Sequence, residues 1–147
     1  MLYIIRELLG FQPGSSLTNI NSTLQYLTNA IKKRCTAFVI SDFIDSNFSN
    51  ALTIANRKHD MVAVQVYDKR EAELPSIGLM KVKDAETNKD LWIDTSSKKM
   101  RTAYSVRWLK RQDELKQVFT KSGVDSVSIA TDDDYVKALM KLFKQRV

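Results

Sequence analysis

Two short runs of branched and apolar residues, TAFVI (Thr36–Ile40) and MVAVQVY (Met61–Tyr67), constrain the fold of this chain more than anything else in it. Neither alternates cleanly between apolar and polar positions, and both are short, so each predicts a strand covered on two faces. Between them Phe48, Leu52 and Ala55 recur at helical spacing, and the run ends at RKH, where cations suit a helix C-terminus. Strand, helix and strand in that order predict a parallel pair joined by a right-handed crossover.

The rest of the chain extends this pattern. Leu2, Ile5, Leu8 and Leu9 sit at helical spacing and Gly10 ends the run; FQPGSS follows as a loop by its Pro-Gly pair. Ile20, Leu24, Leu27 and Ile31 mark one face of a second helix that ends in KKR. After MVAVQVY the rhythm breaks. IGLMKVKD and LWIDT read as strands of a hairpin joined by the polar loop AETNK. A long helix is expected over Ser97 to Ser122, with Tyr104, Trp108, Leu115, Val118 and Phe119 among its buried candidates and Gly123 as its C-cap. VDSVSIAT is a third core strand, and DDDYVKALMKLFKQR a last helix with Val136, Leu139, Met140 and Phe143 on one face. The expected class is α/β: a partial doubly wound parallel sheet of about three core strands with flanking helices and an inserted β-hairpin. A length of 147 residues suits a single domain over 1–147.

Charge is concentrated. Lys98, Lys99, Arg101, Arg107, Lys110, Arg111, Lys116 and Lys121 face only Asp113 and Glu114 in sequence, so this segment carries the whole net charge of +6. An electrostatic partner is expected there, at Lys98, Lys99, Arg101, Arg107, Lys110 and Arg111 above all. With Tyr104 and Trp108 interleaved, the 98–121 helix also admits an alternative reading as a nucleic-acid surface, although an amphipathic helix with its aromatics inward accounts for the same residues. No apolar run approaches the ~20 residues of a membrane span. Arg6 and Glu7 interrupt the apolar start, which lacks a basic leader and a small-residue cleavage site, so no signal peptide is read there. Cys35 is the sole cysteine, which excludes an internal disulfide and suits a reducing, cytoplasmic setting. It has no His partner evident in sequence and reads as a packing residue.

Asp42 stands at the C-terminal end of the first core strand, the edge at which open α/β sheets bind ligands, and its carboxylate suits a hard cation such as Mg²⁺. Asp45 or Ser46 is then the expected cap of the following helix. In TDDD (Thr131–Asp134), Thr131 as N-cap with Asp134 three residues on resembles a capping box rather than a metal cluster, since adjacent side chains diverge. His59, the only histidine, is read as a helix-end residue, and a lone His leaves no zinc site or Ser-His-Asp triad. Neither a dinucleotide fingerprint nor a P-loop occurs. YDKRE places Asp68, Arg70 and Glu71 on the same sheet edge as Asp42, which leaves open an α/β enzyme using Asp42 or Asp68 as acid or base; a salt-bridged loop accounts for the same residues.

FVISDF, HDMVAVQVYDKREAELP, DAETNKDLWIDT and SIATDDDYVKALMKLF together resemble the C-terminal half of a bacterial domain-of-unknown-function family. That family carries a von Willebrand factor A-like domain, and its members are often encoded beside MoxR-type AAA+ ATPases. The resemblance spans nearly the whole chain, and VYDKREAELP and IATDDDY are its most specific pieces. It implies a doubly wound, Rossmann-like sheet with a metal-ion-dependent adhesion site built from three loops. Asp42 matches the third-loop aspartate and Thr18 the second-loop threonine. The first loop, D-x-S-x-S, would lie ahead of Met1 with about three strands; Asp94-x-Ser96 imitates its start but meets Lys98 at the last position. The site implied is therefore an incomplete, vestigial one that holds Mg²⁺ weakly. The expected function is a non-enzymatic protein-interaction module, with a MoxR-type ATPase as the implied partner. The neighbour missing from the 36–41 strand predicts an exposed edge and self-association through it.

Overall fold

The computed structural model describes residues 2–12, 18–45, 47–83 and 90–146. Its elements are α1 (Leu2–Gly10), α2 (Ile20–Ala30), β1 (Thr36–Ser41), α3 (Ser49–Lys58), β2 (Asp60–Tyr67), α4 (Lys69–Ala72), β3 (Leu79–Lys83), β4 (Asp90–Asp94), α5 (Lys98–Ser122), β5 (Asp125–Ala130) and α6 (Tyr135–Lys144). Three strands form one parallel sheet in the order β1-β2-β5, and β3 pairs with β4 in a separate antiparallel ribbon. The α/β class, the parallel sheet and the added hairpin are as the residue pattern predicts. The hairpin's connecting loop, AETNK, most of FQPGSS, and Ser46 lie outside the described residues.

Register follows from β2. Met61, Val62, Ala63, Val64 and Gln65 are all buried, so this strand is the one covered on both faces. Thr36 pairs with Asp60 and Val62 with Asp125, which sets β1 and β5 on either side of it. On one face α2, α3 and α5 meet in a core built from Leu24, Phe43, Leu52, Ala55, Met61 and Phe119. On the other, among the described residues, α6 covers Val62, Val64 and Ile129 through Leu142. Helices α3 and α5 share a face because both crossovers, β1 to β2 and β2 to β5, step across the sheet in the same direction with the same hand.

β1, expected as covered on both faces, is not, and β5, expected as a core strand, is covered only at its end. In β1 the residues alternate between half-buried and exposed, with Phe38 48% and Ile40 68% exposed. The reason is positional: β1 is an edge strand, and α6, which covers β2 on that face, meets it in the edge-on contact of Phe143 with Phe38, 6.1 Å between ring centres. β5 is the opposite edge, and only Ile129 and Ala130 at its end are buried. Helix α1 forms where its spacing predicts, yet none of its residues is buried.

Three local expectations also give way. Asp45 does not cap α3, whose N-cap position is Phe48 with no side-chain bond; the Asp45 carboxylate accepts the backbone N–H of Ile20 (2.8 Å) instead, at the start of α2. Thr131 does not cap α6. Asp134 does, accepting from Lys137 N, because the backbone is still turning away from β5 at Thr131 to Asp133. YDKRE is more than a loop: α4 is a single turn closed by a capping box, Asp68 accepting from Arg70 N (2.7 Å) while Asp68 N donates to Glu71. Helix α5 spans its predicted length, from Ser97 as N-cap to Gly123 at φ 65°, the left-handed conformation that glycine adopts without strain.

Candidate functional site

Because the three strands are parallel, Ser41, Tyr67 and Ala130 all end at one edge of the sheet, and the segments that follow them are neighbours. The first is the turn after β1. Ser41 Oγ and the backbone N–H of Ile44 both donate to Asp42 Oδ1 (3.3 and 3.1 Å), so one oxygen of this carboxylate is spent on local geometry. Phe43 takes φ 55°, a conformation unfavourable for a bulky side chain. Its ring is 4% exposed and wedged between Phe48 and Phe119, with centroids at 5.6 and 5.1 Å, and this packing holds the strained turn. Asp42 is thereby turned out to solvent. Three residues on, Asp45 ties the same turn to Ile20 and so to the start of α2.

That tie bears on Thr18. It is exposed and precedes Asn19, the N-cap of α2, whose side chain accepts from Ser22 N (2.8 Å). The Asp45–Ile20 bond thus brings the segment holding Thr18 to the turn that begins at Asp42. Together the pair offers one unspent carboxylate oxygen and one hydroxyl. Mg²⁺ demands six oxygens in near-octahedral geometry, so these two residues do not make a metal site by themselves. Among the described residues no cluster of three or more His, Cys, Asp or Glu side chains is placed to hold an ion.

The second and third segments neutralise each other. Lys69, from α4, lies 2.8 Å from Asp132 and 3.2 Å from Asp133. The hydrogen bond to Asp132, then that to Asp133, holds the ammonium above the ordinary lysine value, and the bond from Lys69 holds the Asp132 carboxyl below the usual aspartate range. TDDD is thus divided between an ion pair and a helix cap. Asp68 is engaged as the cap of α4, and Glu71 faces Arg111 of α5 at 3.9 Å.

The basic helix α5 packs beside this edge. Trp108 stacks at a tilt on Tyr67, 5.4 Å between centroids, and Leu115 and Phe119 are buried. Between α5 and the β1–α3 turn runs a solvent-open groove of about 780 Å³, lined by Ile44, Phe48, Tyr104, Arg107, Lys110 and Arg111 among others. The six cations expected to meet a partner do not act alike. Arg101 is committed internally, donating to the carbonyls of Thr95 (2.6 Å) and Ser96 (2.9 Å). Lys98 and Lys99 sit at the exposed N-terminus of α5, on the first helical turn. Lys110 is 3.8 Å from Glu114 and Arg111 is loosely paired with Glu71, whereas Arg107 makes no ion pair among the described residues. Only Arg107, Lys110 and Arg111 share the groove with the turn that carries Asp42, a juxtaposition that charge counting along the sequence does not disclose.

At the opposite edge of the sheet sequence reading missed a pairing. His59 is wholly buried, closes α3 as its C-cap, and points Nδ1 at Cys35 Sγ (3.4 Å). Its Nε2 is buried without a partner among the described residues. The strand register contains the signal, since placing Thr36 opposite Asp60 places the two preceding residues side by side.

The fold and this strand-end site define an α/β protein whose open parallel sheet presents its C-terminal edge beside a basic helix. The chain belongs to the family described as protein of unknown function DUF58, whose model matches residues 1–114, ending within α5. It is similar to the uncharacterized protein MAV169 of Mycobacterium avium, 24% identical over 131 residues, 87% of this chain and 76% of that protein. It is also similar to the uncharacterized proteins Rv1480 of Mycobacterium tuberculosis and Mb1516 of Mycobacterium bovis, each 25% identical over 118 residues. Those matches cover 78% of this chain but only 36% of the relatives' own lengths. No solved structure matches. No helix among the described residues is long and apolar enough to cross a membrane.

Proposed function

We propose that this chain acts as a non-enzymatic protein-interaction module: one von Willebrand A-like unit over 1–147, cytoplasmic, with an adhesion site that is incomplete within the chain. The observation that carries the reading is the turn after β1. Asp42 stands at the C-terminal end of a parallel edge strand, held outward by a strained and buried Phe43, while Asp45 draws the Thr18 segment toward the same turn. Those are the two loop positions that the resemblance assigns to a metal-ion-dependent adhesion site. The groove beside them, with Arg107, Lys110 and Arg111, suits an acidic face on the partner, and a MoxR-type ATPase is the partner that the resemblance implies. The engagement of Asp68 as a cap and of Asp132 and Asp133 with Lys69 suits a binding surface better than acid–base work, which needs a carboxylate free to exchange its proton. The free edge of β1 gives the same module a route to self-association.

Two donors hold Mg²⁺ or Mn²⁺ only weakly, so the expected affinity is in the millimolar range or beyond, about 4 kcal/mol or less. Calorimetric titration of both ions into the protein and into Asp42→Ala tests the assignment. A weak heat for the parent that the variant lacks supports it; the same behaviour in both removes the metal from the proposal.

A further inference from the structure

The edge of the sheet away from the candidate site holds the chain's only cysteine against its only histidine. Cys35 is partly exposed, immediately ahead of β1, and its carbonyl accepts the backbone N–H of Asp60 (2.9 Å), which fixes it beside the end of α3. His59 is pinned from the other side: its own N–H donates to Ala55 O (2.8 Å), and its ring is 0% exposed. A buried imidazole ordinarily satisfies both nitrogens. Among the described residues this one has a single partner, the sulfur of Cys35, and leaves Nε2 without any. A polar ring is thus desolvated in order to face one thiol, an arrangement that packing alone does not favour over an apolar residue. A nucleophile within hydrogen-bond reach of an oriented base is the geometry of an activated thiol.

We propose that Cys35 is a modification site, a thiol that His59 activates for exchange with low-molecular-weight disulfides. In the reactive tautomer the proton is on Nε2 and the Nδ1 lone pair faces the thiol. Cys35 Sγ attacks one sulfur of the disulfide as Nδ1 takes the S–H proton. The disulfide's S–S bond breaks, a new one forms to Cys35, and the departing thiolate recovers a proton from solvent while His59 gives its own up. Cys35 sulfur is oxidised and the leaving sulfur reduced, so no further oxidant is required. The product is a mixed disulfide. Its added group cannot share the space of the His59 ring, so modification loosens the junction of α3 with β1 and β2.

The test is the rate of the whole chain's reaction with dithiobis-nitrobenzoate at neutral pH, with oxidised glutathione as the second disulfide and the adduct located by mass spectrometry. A positioned base contributes upward of about a hundredfold, and partial burial slows access, so the native protein is expected to react about tenfold faster than the same chain unfolded in urea. His59→Gln is expected to bring the native rate down to or below the unfolded one. A native chain slower than the unfolded one overturns the proposal, since a merely packed thiol gains reactivity on exposure. So does a His59→Gln variant that keeps its native circular dichroism and its full rate. If that variant does not fold, the native-to-unfolded ratio of the parent decides by itself.

Discussion

Phe43 offers the sharpest test of how the strand-end turn is held. The residue combines two opposing terms, a left-handed backbone that a bulky side chain disfavours and a ring buried between Phe48 and Phe119. Truncation to alanine removes the ring, and such Phe→Ala changes in a core cost about 3–5 kcal/mol, the lost aromatic pairings included. Against a total stability of about 5–15 kcal/mol, that is a large fraction. Alanine keeps the strain, because any L-residue pays about 1–2 kcal/mol in the left-handed region. Glycine relieves it but adds about 0.4–1 kcal/mol of freedom to the unfolded chain. The expected order is therefore Phe43 most stable, Phe43→Gly next, and Phe43→Ala about 0.5–1 kcal/mol below glycine, the reverse of the usual Ala-over-Gly ranking. Urea denaturation followed by far-ultraviolet circular dichroism measures the difference. A glycine variant less stable than the alanine variant by more than about 0.5 kcal/mol would refute the claim that the aromatic packing restrains a strained turn.

Three further expectations concern the same surfaces. Asp45→Ala leaves the Ile20 N–H without its acceptor and should lower stability by about 1 kcal/mol, with Asp45→Asn recovering most of it in thermal melts. The Lys69–Asp132 pair lowers the folded carboxyl's pKa and raises the ammonium's, so its stabilisation is present between the ordinary aspartate and lysine ranges; it is lost on the acid side as pH falls through the lowered value and on the alkaline side as pH rises through the raised one. In Lys69→Gln, carboxyl resonances should place the Asp132 titration higher than in the parent; an unmoved titration contradicts the pairing. Ile40→Lys puts a charge on the open face of β1 and should reduce any self-association seen by sedimentation, with a change of about 0.5 kcal/mol or less in stability, since Ile40 is mostly exposed.

The architecture was legible because period and burial coincide where layers are complete. β2 is covered on both faces and its sequence is apolar at both parities, while α5 carries an N-cap serine and a C-cap glycine at the right distance. Reading failed where composition and position part company. TAFVI has the composition of a covered strand and occupies an edge, because apolar content reports what a strand is suited to pack against and not whether the neighbour is there. Capping was misread twice. Asp45 finds an N–H group set by tertiary placement, twenty-five residues away in sequence, which no cap motif describes; Asp134 makes an ordinary local cap to Lys137 N, three residues beyond Thr131 because the chain is still turning away from β5 there. Of the strand-end residues, Asp42 follows from its position at the end of a core strand and from the resemblance, Thr18 from the resemblance alone, and the turn that brings their segments together depends on a positive φ at phenylalanine, which no local propensity announces. The Cys35–His59 contact required the register of β1 on β2 before it could be seen.

The spacing of the three parallel strands along the chain carries a consequence for how the sheet assembles. Thr36 and Asp60 are 24 residues apart, whereas Gln65 and Ser128, joined side chain to side chain at 2.7 Å across β2 and β5, are 63 apart. Closing the longer loop costs about 0.9 kcal/mol more in chain entropy, and the intervening hairpin and α5 must be accommodated meanwhile. The β1–α3–β2 unit therefore has the head start, and β5 docks late. Until it does, β2, the most apolar strand of the protein, is itself an edge of the sheet, a place that β5 takes in the finished fold. The nascent chain passes through a sheet that exposes its most apolar strand as an edge, so its yield on refolding should fall with concentration even where the native state is stable.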